Sequence, residues 1–208
     1  MKSLMASPPT SWQKGSKGDI VLIPGFGCSW TFFEYLADSL NKTGYRIHVV
    51  RRFEHTAMAM EKYCQVLHTY LVEHKLKNVI FLCHSRGGKV SKYFSATYPN
   101  NKPVKAIHIA SKYTGSFWAR LKIFNLDEFD QNSKVLKIIN SNIDNKHILN
   151  LYPTYDNIFF SSPSEKLSNA INIQIMIVGH TRILFDKETL NQILRFFYEG
   201  SDQLKLRR

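Results

Sequence analysis

Short apolar runs rich in β-branched residues alternate along this chain with longer stretches whose apolar positions recur every three or four residues. The first kind of pattern suits strands buried on both faces, and the second suits helices that cover them. Asp19 to Ile23 is such a run and stops at Pro24-Gly25. Phe32 to Asn41 then reads as a helix, Arg46 to Val50 as a second strand, and Ala57 to Lys75 as a long helix with Cys64, Leu67 and Leu71 at helix spacing. Asn78 to Cys83 forms a third strand, followed by a sharp turn over His84 to Gly88 and a helix that ends near Tyr98-Pro99. Val104 to Ala110 makes a fourth strand.

Strict alternation of strands with helix-length connections predicts an α/β fold: a mostly parallel central sheet with right-handed crossovers and helices on both faces. The alternation breaks down between Ser111 and Lys146, then resumes with strands at His147 to Tyr152 and Asn172 to Val178 and a helix from Lys187 to Tyr198. The 208 residues fit one domain, 1–208, with 111–146 as a short cap-like insertion, and no internal repeat divides them.

Composition narrows the classes further. With 44% hydrophobic and 13% aromatic residues the chain can fill a core, so a disordered protein is excluded. No apolar run approaches the roughly 18 residues of a membrane-spanning helix. Nor does the stretch before Lys14 contain the apolar core of a signal peptide, so the expected compartment is the cytoplasm. The 3 cysteines, Cys28, Cys64 and Cys83, lack a C-x-x-C pair and read as free thiols. A formal charge of +12 favours acidic partners such as an anionic lipid surface; the basic residues are spread along the chain without a recognition motif, so nucleic acid is not expected as a partner.

The chemistry concentrates in Cys83-His84-Ser85-Arg86-Gly87-Gly88, between a predicted strand and a predicted helix. This is the pattern of a nucleophile elbow, in which small residues two before and two after a serine allow the tight turn that exposes its hydroxyl. Cys83 takes the place of the first glycine and Gly87 keeps the second. Two phosphate-binding readings fail nearby. Gly25-x-Gly27 begins a dinucleotide fingerprint, but Trp30 occupies the third glycine's place. Gly88-Lys89 is followed by Val90, where a P-loop needs Ser or Thr. Among 8 histidines there is no H-E-x-x-H and no pair four residues apart, so neither a metal nor a cofactor is expected. His48 and His108, inside predicted strands, read as satisfied core residues.

From about Gly18 to Phe197 the chain resembles the α/β-hydrolase superfamily, and within it the small serine lipases and esterases with an A/G-H-S-x-G-G elbow. The resemblance implies a triad in the order Ser, acid, His. Ser85 is the implied nucleophile. Gly179-His180, with Ile183, Leu184 and Phe185 after it, is similar to the G-H-x-x-L-L-F segment that carries the base, which makes His180 the implied general base. Tyr152-Pro153-Thr154-Tyr155-Asp156-Asn157-Ile158 is similar to the family's acid segment and makes Asp156 the implied acid, with Asp144 as its rival. The backbone N–H groups of Phe26 and Arg86 would form the oxyanion hole.

Within the insertion, Phe117, Trp118, Leu121 and Phe124 share one helical face, with Arg120 and Lys122 off it. That face reads either as a lid or acyl-binding wall over 111–146, or as a helix covering the core. The implied activity is hydrolysis of small-molecule acyl esters through an acyl-enzyme. The rivals are an acyl thioesterase of the same fold and a catalytically silent scaffold that binds a partner. Nothing in the sequence fixes the oligomeric state.

Overall fold

A computed structural model describes residues 7–54, 58–114, 130, 132–141, 144–159 and 166–202. Six strands, β1 (Gly18–Ile23), β2 (Tyr45–Val49), β3 (Ile80–His84), β4 (Lys105–Ile109), β5 (Ile148–Tyr155) and β6 (Ile171–Val178), form one sheet in the order β2-β1-β3-β4-β5-β6. Every neighbouring pair is parallel. The helices are α1 (Glu34–Lys42), α2 (Met60–Glu73), α3 (Arg86–Thr97), α4 (Lys134–Ser141) and α5 (Lys187–Asp202).

Successive strand residues point to opposite faces, and the core divides accordingly. Val21, Ile23, Phe81 and Cys83 pack with α2, α3 and α4 on one side. Ile20, Leu22, Leu82, Ile107 and Leu149 pack with Trp12, α1 and α5 on the other. Because both faces are covered, these strands read as continuous apolar runs without polar alternation. Each large side chain so buried, Phe81 or Leu82 for example, stabilises the fold by about 1.5–3 kcal/mol.

Helix α4 is an element the sequence pattern missed inside the irregular stretch. Val135, Leu136 and Ile139 form its buried stripe, and the Ser133 hydroxyl accepts the Leu136 N–H at 3.1 Å, the bond of an N-cap. Helix α3 is buried almost throughout, cations included. Arg86 donates to the Met58 carbonyl at 2.6 Å, and Lys89 to the Thr114 carbonyl at 3.4 Å. Lys92 donates to the Asn145 side chain at 2.8 Å, and its burial pushes the ammonium down to about 8.

The two core histidines differ. His48 is half-buried, bonded to Asp19 at 2.8 Å and set 3.4 Å from the Tyr70 hydroxyl. His108 is fully buried and bonded through Nδ1 to Tyr113 at 2.7 Å, but its Nε2 has no partner among the described residues.

Strand β1 lies between β2 and β3, so the chain winds away from it in both directions along the sheet. At such a switch point the loops after the strands diverge and leave a crevice at their carboxyl ends. The loop after β1, the turn after β3 and the segments after β5 and β6 all emerge at that end.

Candidate active site

The turn after β3 is held in a conformation few residues adopt. Ser85 has φ 54° and ψ −119°, outside the regions open to ordinary L-residues. Its N–H donates to the Ile109 carbonyl at 2.9 Å, and the Gly88 N–H donates to the Ser85 carbonyl at 3.2 Å, which ties the turn to β4 and starts α3. Between Val79 and Ser95 every residue is buried except Ser85, which is partly exposed. The turn passes so close to β1 that a Cβ on Gly87 would run into the Ile23 carbonyl oxygen. The smallness required two residues after the serine therefore has a specific neighbour as its cause. Cys83, in the other small position, is fully buried in the sheet, and that burial raises its thiol pKa.

On the far side of the crevice, β5 runs into Asp156 and β6 into Gly179-His180. The His180 Nδ1 and the Asp156 Oδ2 lie 2.7 Å apart, with the Asp156 side chain wholly removed from solvent. Burial alone would raise the Asp156 pKa. The bond and charge of His180, with N–H donors from Phe159 at 3.0 Å and Ile158 at 2.9 Å, outweigh it and leave the carboxyl below its ordinary value. An ionised Asp156 accepts a hydrogen bond from Nδ1–H, which leaves the lone pair of His180 on Nε2.

The His180 ring stands 4.8 Å from the ring of His84, the residue before Ser85, so His180 is beside the turn that carries the serine. Asp144, the rival acid, is exposed and pairs with Lys102 at 3.2 Å.

Phe26 lies in a turn closed by the Cys28 N–H on the Gly25 carbonyl at 3.2 Å. This turn presses on the elbow: a Cβ on Gly25 would sit 3.0 Å from the Ser85 Cβ. Arg86 opens α3, and its guanidinium swings away toward Met58 and over the Tyr63 ring, 5.2 Å from the centroid. A long cation at this position is thus compatible with a backbone role at the crevice, because its side chain is engaged elsewhere. Phe117, Trp118, Leu121 and Phe124 lie outside the described residues.

Three contacts here were not read from the sequence. Asn157 Oδ1 accepts the His180 N–H at 2.8 Å. Phe159 stands edge-on to the His180 ring at 5.0 Å. His84 Nε2 meets the His180 carbonyl at 3.1 Å. None had a local signal, since each joins residues far apart in the sequence.

No protein-family model matches the chain, and no curated protein does. Solved structures do. An α/β hydrolase from the metagenome of lagoon sediments at Mar Chica, Morocco, aligns with TM-score 0.60 at 16% identity, covering 91% of this chain and 94% of that one. A hydrolase from Oleispira antarctica aligns with TM-score 0.66 at 14% identity over 89% and 93%. A monoacylglycerol lipase from Paleococcus ferrophilus gives TM-score 0.66 at 14% identity over 90% and 95%. The fold is therefore that of the α/β hydrolases, present along nearly the whole chain.

Proposed function

We propose that the protein is a serine hydrolase that cleaves acyl esters through an acyl-enzyme intermediate. The observation that carries this reading is the buried Asp156–His180 pair, 2.7 Å apart, set beside a serine in a strained and partly exposed turn. Ser85 Oγ attacks the ester carbonyl carbon while His180 Nε2 takes its proton. Asp156 keeps Nδ1–H in place and stabilises the imidazolium that results. The carbonyl oxygen gains negative charge and is held by the Phe26 and Arg86 N–H groups. The tetrahedral intermediate collapses with release of the alcohol, which receives the proton from His180. Water, deprotonated by the same nitrogen, then attacks the acyl-Ser85 ester and releases the acid. The apolar sequence stripe Phe117, Trp118, Leu121 and Phe124 supports a preference for acyl chains longer than acetyl, at roughly 0.8 kcal/mol per buried methylene.

A fluorophosphonate probe tests the reading. It should label one peptide, that containing Ser85, and Ser85→Ala should lose both the label and the hydrolysis of a nitrophenyl ester. Labelling elsewhere, or full turnover by Ser85→Ala, rules the mechanism out. An acyl-coenzyme A assayed alongside the nitrophenyl series separates a thioesterase from an esterase, and the charge of +12 is the feature that favours the former.

A further inference from the structure

His84 is wholly buried at the centre of the site, yet the mechanism above gives it no task. Its imidazole touches three of the pieces that must be brought into register. Through the backbone it is joined to Ser85. Through Nε2 it meets the carbonyl oxygen of His180 at 3.1 Å. Through Nδ1 it faces the loop after β1, where a Cβ on Gly25 would lie 3.4 Å away. Phe33 stands edge-on to the ring at 6.4 Å and helps fix its plane.

A carbonyl oxygen can only accept, so Nε2 must carry the proton, and Nδ1 is then a bare lone pair. Nδ1 has no partner among the described residues. Burial, with the nearby His180 reinforcing it, pushes the His84 pKa down to about 3. The ring therefore stays neutral wherever His180 can act as a base. That neutrality matters because the rings are 4.8 Å apart: a cation at His84 would oppose the imidazolium that must form on His180.

We propose that His84 is a positioning residue, whose Nε2–H bond to the His180 carbonyl sets the imidazole of the base over the elbow serine. The inference rests on the serine-hydrolase reading and deepens it. The base is otherwise held by groups from its own side of the crevice, Asp156 on the ring and Asn157 on the backbone N–H. His84 is the link that crosses to the nucleophile, so it sets the distance between Ser85 and His180.

The test compares kcat and KM for a nitrophenyl butyrate in wild type, His84→Phe, which keeps a ring without the donor, and His84→Gln, whose amide can donate again. Loss of one buried hydrogen bond in the transition state predicts a fall in kcat of about 10-fold in His84→Phe with KM within about twofold, and substantial recovery in His84→Gln. An unchanged kcat in His84→Phe, or a His84→Gln variant no better than it, overturns the positioning role. A wild type that neither takes a fluorophosphonate on Ser85 nor hydrolyses the ester overturns the serine-hydrolase reading itself, and this inference with it. Should His84→Phe fail to fold, nitrogen NMR of the wild type decides. A His84 ring protonated on Nε2 and untitrated above pH 5 supports the proposal, and one protonated on Nδ1 refutes it.

Discussion

Asn157 holds His180 by the backbone: its Oδ1 accepts the His180 N–H at 2.8 Å, while the adjacent Asp156 holds the same residue by its ring at 2.7 Å. Two consecutive residues of the β5 turn thus fix the end of β6 at two points, and each can be tested separately.

Asn157→Ala removes the backbone anchor and leaves the ring bond. A lost hydrogen bond of about 1 kcal/mol predicts a fall in kcat of roughly 5-fold, with KM little altered, because the residue is expected to act on the base and not on the substrate. Steady-state kinetics on one ester would show it.

Asp156→Asn should lower kcat by on the order of 10³ to 10⁴, since the amide can no longer hold the tautomer that frees Nε2. Asp144→Asn should leave kcat unchanged, because Asp144 is exposed and engaged with Lys102. The two variants measured side by side test which acid serves His180.

Ser85→Gly should be inactive yet more stable. The backbone at φ 54° and ψ −119° holds about 1–3 kcal/mol of strain in a serine, and glycine relieves it for about 0.5–1 kcal/mol of lost chain entropy. The expected rise in Tm is roughly 2–4 °C, readable by calorimetry.

Acid should unfold the protein earlier than its core size suggests. His84 and His108 are both held far below the ordinary imidazole value of 6.5, chiefly by burial, so the unfolded chain binds protons that the folded one refuses. Stability is then complete above pH 6.5 and is lost as pH falls, by up to about 1.4 kcal/mol per pH unit for each residue. Asp156, whose folded pKa is depressed, adds a further loss as pH falls through the carboxylate range below 3.8. Urea midpoints that stay level from pH 7.5 to 4.5 would contradict this.

The strands and the elbow were legible in the sequence because their signals are local. Phe81 and Leu82 belong to an apolar run that ends at a turn, and the turn's smallness shows at Gly87. Helix α4 was not, because only four apolar positions, three of them buried, and the Ser133 cap mark its eight residues, and these sit in a polar surround that reads as a loop. Asp156 and His180 were readable only through a family resemblance, since no spacing rule says that two strand ends will meet. The bonds of His84 and Asn157 to His180 were beyond reach for the same reason: both depend on a register between β3, β5 and β6 that the fold alone supplies.

The strained serine also governs how this gene can decay. Were hydrolysis of no use to its host, the first substitution at position 85 to glycine would raise the population of folded protein, and selection on folding would spread it. Inactivation by that route runs downhill, with no compensating change required. A scaffold kept only for binding would gain stability by exchanging Ser85 for glycine, so at this one residue the hydroxyl and the ease of folding stand in opposition.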